Sequence, residues 1–235
     1  LRLLGHERPR EFRGMDGRWD GLEHARDVER HAVVLSRHGY RVRLYEGRPD
    51  SRITNIYQGR SINIALSDRG WHSLAEIGVG PDAKKQAIPM YQRAIHDVDG
   101  ALSSIPYGKE DQAIWSVSRG GINQQLLDLA EAEPNVELYF EHRLIDVDFA
   151  TAAARFSGPG DSEINVEADY LFGADGANSK VRRLAQDLPR FSYSQTYMPQ
   201  SYIELNIPAN PDGTPDRLPD PLPDRNTGAD DEPKL

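Results

Sequence analysis

The chain has 235 residues, 28 of them Lys or Arg against 37 Asp or Glu, for a formal charge of −9; 38% are hydrophobic and none is cysteine. An acidic total without clustered Lys and Arg argues against a nucleic-acid surface, and the lack of cysteine excludes disulfides, thiolate metal sites and a cysteine nucleophile. No run approaches the ~18–20 apolar residues that cross a bilayer, and residues 1–10 lack the apolar stretch of a signal peptide, so a soluble, cytoplasmic protein is expected.

Residues 1–30 interleave charges of both signs with Gly5, Pro9, Gly14, Gly17 and Gly21, and no strand is predicted there. Residues 28–38 fit a short helix with Ala32, Val33 and Leu35 inward and Gly39 as a left-handed cap. A strand follows through Val42 and Leu44, ending at Tyr45-Glu46. Ser67-Asp68 can cap a helix carrying Trp71, Leu74 and Ile77, which Gly78 and Gly80 stop. Residues 90–97 and 101–105 read as two strands joined by a tight turn at Asp99-Gly100. After a strand over 114–117, Ser118 can cap a helix bearing Ile122, Leu126, Leu127 and Ala130, ending before Pro134. Residues 136–140, 144–149, 153–156 and 164–166 form successive strands with local antiparallel pairing. The apolar run Tyr170-Leu171-Phe172 predicts a strand buried on both faces of a parallel sheet, leading through Gly173-Ala174-Asp175-Gly176 into a helix from Asn178. From Pro208 onward prolines and aspartates recur without one aromatic residue, a composition expected to stay disordered because it buries too little apolar surface.

Glu46 ends a strand that follows a helix, the place where dinucleotide folds put an acid to accept ribose hydroxyls; the alternative is an exposed strand-end carboxylate. No Gly-x-Gly-x-x-Gly fingerprint precedes it, since Gly14 and Gly17 are wrongly spaced. The 173–176 turn offers small residues for close backbone approach, Asp175 as a hydroxyl acceptor and helix-start N–H groups that favour a phosphate; alternatively, Asp175 satisfies local backbone groups. Arg93 and Tyr107 could jointly hold a carboxylate or simply be surface residues. His24, His31 and His38 recur every seven residues, about 10.5 Å apart on a helix, too far to share one metal ion. Asp146 and Asp148 share one strand face, which is expected to be wet.

Several segments together carry a resemblance. Glu46-Gly47-Arg48-Pro49-Asp50, Gly59-Arg60-Ser61-Ile62-Asn63-Ile64-Ala65-Leu66-Ser67, Ile88-Pro89-Met90, Ile105-Pro106-Tyr107-Gly108, Ser116-Val117-Ser118-Arg119 and Gly173-Ala174-Asp175-Gly176 follow one another in an order that resembles the flavin-dependent aromatic hydroxylases, most closely the kynurenine 3-monooxygenase group. The resemblance runs from about Ala32 to Gly213. It implies an α/β fold: an incomplete Rossmann-like FAD-binding domain over 31–207 with an antiparallel substrate-sheet portion, a divergent polar segment at 1–30 and a Pro/Asp-rich tail at 208–235. By position it implies that Glu46 holds the adenosine ribose, that Tyr45, Arg48, Ala65, Arg119 and Leu144 line FAD, that Asp175 with Gly176 meets its central part, and that Arg93 and Tyr107 bind the substrate carboxylate. The implied reaction is hydroxylation of L-kynurenine by molecular oxygen, with FAD as cofactor and NADPH as co-substrate, in tryptophan degradation. The other expectation is a non-catalytic remnant or partner-binding fragment of a flavoprotein.

Overall fold

The computed structural model describes residues 2–7, 28–54, 63–109, 111–200 and 210–212. Gly14, Gly17, His24, residues 59–62 of the quoted motif and nearly all of the 208–235 tail lie outside that set. The chain divides into two units, residues 1–88 with 116–196 and residues 89–115 with 197–235.

The first unit is built on a four-stranded sheet. Its opening strand, β1 (Arg2–Glu7), falls where the polar composition predicted none. Strand identity there comes from the slot it occupies: β1 pairs antiparallel with β2 (Arg41–Glu46) on one side and with β12 (Tyr170–Gly173) on the other. Helix α1 (Val28–Arg37) connects to β2 through Gly39, whose φ of 85° is the left-handed conformation that glycine adopts without steric penalty. Val28, Ala32 and Leu35 of α1 bury against Val42 and Leu44 of β2, completing the apolar stripe read from the sequence.

Strand β3 (Asn63–Leu66) leads into α2 (Asp68–Glu76), which buries Trp71 and Leu74. Gly78, with φ 91°, ends that turn as predicted, but Gly80 stops nothing: it begins a further helix, α3 (Gly80–Lys85), with Pro81 in the first turn where the missing N–H is harmless. Strand β4 (Ile88–Met90) passes into the second unit, whose hairpin of β5 (Gln92–His96) and β6 (Leu102–Pro106) is antiparallel, as expected. Its loop is wider than a two-residue turn. Asp97 N–H bonds to Ala101 O and Gly100 alone has positive φ, so the five residues 97–101 make the reversal.

Strand β7 (Ile114–Ser118) delivers Ser118, whose Oγ accepts from Gly121 N–H at 3.2 Å and caps α4 (Arg119–Ala132). Strand β8 (Val136–Tyr139) then pairs parallel with β2, so the sheet order is β12-β1-β2-β8. Strands β9 (Arg143–Asp148), β10 (Ala153–Ser157) and β11 (Glu163–Val166) form an antiparallel sheet in the order β11-β10-β9. Leu144, Val147, Ala154, Phe156 and Val166 from that sheet bury with Tyr45, and Val181 and Leu184 of α5 (Lys180–Ala185) pack against them. The main sheet is thus covered by α1 on one face and by the small sheet and α5 on the other.

Strand β12 departs from its reading. It is at the edge of the sheet, antiparallel to its neighbour, with Tyr170 42% and Phe172 39% exposed. Apolar character alone did not distinguish an edge position from a central one, because both begin with the same run of large side chains. Asp146 and Asp148 are exposed, as expected, and accept from the nearby backbone N–H groups of Val147 and Ala150.

Candidate functional site

Strand direction determines where a ligand can sit. Because β1 is antiparallel to both β2 and β12, those two run the same way, and β8 is parallel to β2; three of the four strands end at one edge. Ligands of α/β sheets bind outside the carboxyl ends of strands. Glu46 is the last residue of β2 and Gly173 the last of β12. In register, Tyr45 and Gly173 both face Leu3 of β1, so the two strand ends are level, two strand spacings or about 10 Å apart. Ala174 packs against the α1–β2 cluster, which holds the 174–176 turn beside the end of β2.

Glu46 is not the exposed strand-end carboxylate of the alternative reading: it is 2% exposed. A buried carboxylate must be hydrogen-bonded, and Arg48 does this, its backbone N–H reaching Oε1 at 2.9 Å and its Nε and Nη2 reaching the two oxygens at 3.2 and 3.3 Å. The Arg48 side chain is itself 56% exposed, so the pair is open to solvent on the guanidinium side. Gly47 between them is buried, and a Cβ there would meet Arg143 Cγ at 3.1 Å.

The turn after β12 takes a form the sequence left open. Asp175 Oδ1 accepts from Ser179 Oγ at 2.5 Å, and Oδ2 accepts from the N–H groups of Lys180 and Val181 at 2.5 and 3.1 Å. Ser179 Oγ in turn accepts from Arg182 N–H at 2.9 Å. The helix start expected to attract a phosphate is therefore capped by the chain's own carboxylate and hydroxyl. Gly173 allows α5 to come close, since a Cβ would meet the Val181 side chain at 3.0 to 3.1 Å. Gly176, at φ 72° with open space where a Cβ would be, leaves bare backbone for a ligand to approach.

Tyr45 and Leu144 occupy the core rather than an open wall. The Tyr45 ring stacks between Tyr139 (centroids 4.8 Å) and Phe156 (4.3 Å), with Leu144 in the same buried cluster. Burial raises the Tyr45 phenol above its ordinary range, and the hydrogen bond from Tyr139 to Glu137 pushes Tyr139 up to about 12. Both phenols are neutral at ordinary pH. Any part that Tyr45 takes at the carboxyl edge runs through its backbone. Ala65 is exposed on β3, and Arg119 is the first residue of α4.

In the second unit, Arg93 pairs with Ile105 across the hairpin, and Tyr107 N–H bonds to Tyr91 O at 2.9 Å. Side chains two apart share a strand face, so Tyr91, Arg93, Ile105 and Tyr107 lie on one face, with Arg93 and Tyr107 as diagonal neighbours about 7–8 Å apart. Arg93 is exposed, as is Tyr107 at 41%.

The sequence reading missed Arg52, whose guanidinium ties the turn after β2 to α4; only its i, i+2 spacing from Asp50 is local, and the acids at 128 and 131 are distant in sequence. It also missed Glu29. This carboxylate is fully buried in the first turn of α1, and because α1 runs antiparallel to β2 that turn lies toward the carboxyl edge. A flavin dinucleotide fits the site at its adenosine end, where a buried acid, an exposed Arg and open glycine backbone meet. At α1 the buried acidic side chain is that of Glu29. Among the described residues no group of His, Asp and Glu could hold a metal, and no helix is long and apolar enough to cross a membrane.

The FAD binding domain family model matches residues 31–212. A kynurenine 3-monooxygenase of Flavobacterium johnsoniae is 43% identical over 185 residues, covering 77% of this chain and 40% of that protein. The kynurenine 3-monooxygenase of Sus scrofa is 41% identical over 177 residues, 75% of this chain and 38% of its own length. The chain thus spans about two fifths of the length of these curated relatives. Among solved structures, the flavin-dependent monooxygenase PieE in complex with FAD and substrate superposes with a TM-score of 0.58 at 18% identity, over 68% of this chain and 30% of that one, a likeness of fold.

Proposed function

This chain belongs to the FAD binding domain family, and from that premise we propose that it carries the adenosine-side and substrate-carboxylate residues of a kynurenine 3-monooxygenase, which hydroxylates L-kynurenine to 3-hydroxykynurenine using FAD, NADPH and molecular oxygen. The observation that carries the proposal is the buried Glu46 at the carboxyl end of β2, level with the open Gly173-to-Gly176 turn. The names and identities of the curated relatives support the substrate class.

FAD, when bound and reduced by NADPH, would supply the activation of oxygen. The chain's own residues bind and orient. Glu46 accepts hydrogen bonds from the adenosine ribose while Arg48 turns outward toward negative charge. Arg119, at the head of α4, adds positive charge, and the backbone at Gly176 allows close approach. Arg93 takes the kynurenine carboxylate by charge-assisted bonds, and Tyr107 donates one more through its hydroxyl. The proposed role needs no serine or cysteine nucleophile.

A second reading has its own support: β1 runs antiparallel where a dinucleotide fold has a parallel strand. This favours a non-catalytic remnant or partner-binding fragment of a flavoprotein that does not hold the flavin. Titration with FAD separates the two. The monooxygenase reading expects a perturbed flavin spectrum, a higher melting temperature and kynurenine-dependent NADPH oxidation. A chain that leaves the flavin spectrum and its own melting unchanged is the non-catalytic alternative. Where turnover is measured, Arg93→Ala should raise the kynurenine KM at least tenfold, from the loss of ~1.5–3 kcal/mol of charged hydrogen bonding, with FAD content unchanged. An unaltered KM removes Arg93 from the substrate site.

A further inference from the structure

The turn after β2 has no regular structure, yet it must hold Glu46 and the Arg48 backbone in place. The main chain is fastened at three points: His142 N–H bonds to Glu46 O at 2.9 Å, Glu141 N–H to Arg48 O at 3.1 Å, and Gln124 Nε2 to Ser51 O at 3.1 Å. The largest set of bonds converges on Arg52. Its Nε donates to both oxygens of Asp50 at 3.0 and 3.1 Å and its Nη2 to Asp50 Oδ2 at 2.7 Å, while Nη1 donates to Asp128 Oδ1 at 3.0 Å and Glu131 Oε2 at 2.6 Å. The guanidinium also lies 5.8 Å from the centroid of the Phe140 ring, and the side chain is only 16% exposed. One planar fork thus joins the turn's own carboxylate to two carboxylates of α4, a geometry that a lysine ammonium cannot reproduce.

Gln124, Asp128 and Glu131 are spaced i, i+4 and i+7, so one face of α4 grips the turn. The same helix begins at Arg119, and its 14 residues make a rod roughly 21 Å long. We propose that Arg52 is a positioning residue that locks the 46–48 turn to α4, so that Glu46, Arg48 and Arg119 act as one preorganised adenosine-binding body. The proposal rests on the flavin reading above, and it adds a residue that touches no ligand.

Isothermal titration of the full chain with ADP-ribose, which carries the adenosine ribose and diphosphate without the flavin ring, tests it. Arg52→Met should weaken binding at least tenfold at a temperature where circular dichroism shows it fully folded, and Arg52→Lys should restore only part of the loss. The double variant Asp128→Ala with Glu131→Ala removes both acceptors, leaves the Arg52–Asp50 pair intact and changes two side chains that are 65% and 60% exposed, so its folding is not at stake. It should weaken binding by a similar factor. A merely structural role would lower the melting temperature and leave this affinity alone. Affinities of Arg52→Met, or of the double variant should the former fail to fold, within twofold of the unaltered chain overturn the clamp while leaving the flavin reading intact. No binding of ADP-ribose by the unaltered chain overturns both.

Discussion

At the scale of single residues, acids in similar sequence settings take different roles because their surroundings differ. Glu46 is buried and accepts from the backbone and side chain of Arg48, whereas Asp175 spends both oxygens on its own helix. Replacing Glu46 by Gln keeps the volume but removes the charge on which the proposed ribose contact depends, so FAD affinity should fall roughly tenfold or more, for a loss of ~1.5–3 kcal/mol; unchanged affinity by flavin fluorescence would place the ribose elsewhere. Asp50 is the clearest titrating group. Its hydrogen bonds from Arg52 hold its carboxyl below the usual range. A depressed folded pKa means stability that is fully present above the unfolded value of about 3.9 and lost as pH falls through the lower folded one. The melting temperature of Asp50→Asn should therefore fall less than that of the unaltered chain between pH 6 and pH 3; parallel curves would show that the pair contributes nothing. Of these residues, Glu46 was legible because strand-end position is local information. Arg52 was not, because its partners lie 76 and 79 residues further along the chain.

At the scale of elements, those whose pattern is local were read well. Helix α1 with Gly39, strand β2, the β5–β6 hairpin, the Ser118-capped α4 and strands β8 to β11 all follow from period, caps and turn residues. The elements that were missed owe their state to neighbours. β1 is a strand because β2 and β12 leave it a slot, and α3 forms around a Gly-Pro start that reads locally as a stop. Two substitutions test these local accounts. Ser118→Ala removes the hydroxyl that caps α4 and should destabilise by about 1 kcal/mol, read as a lower urea midpoint; an unchanged midpoint would mean that α4 is held by packing alone. Gly173→Ala places a methyl 3.0 Å from Val181 and should cost ~1–3 kcal/mol through overpacking of β12 against α5. A neutral result in the same assay would mean that the helix shifts freely.

At the scale of the whole molecule, one physical fact organises the account: β2, β8 and β12 end at one edge, and there a buried acid and an open glycine turn stand level. The ordered motifs made the family legible from the sequence, and the family model over 31–212 agrees with it. Strand direction was beyond reach, because the inversion of β1 is set by pairing between distant segments. Hydrogen exchange of the full chain with and without FAD tests the central claim most directly. The account predicts protection by FAD in both the 42–50 and the 172–181 segments, with the same FAD concentration dependence. Protection of one segment without the other, or of neither, would contradict a shared nucleotide site.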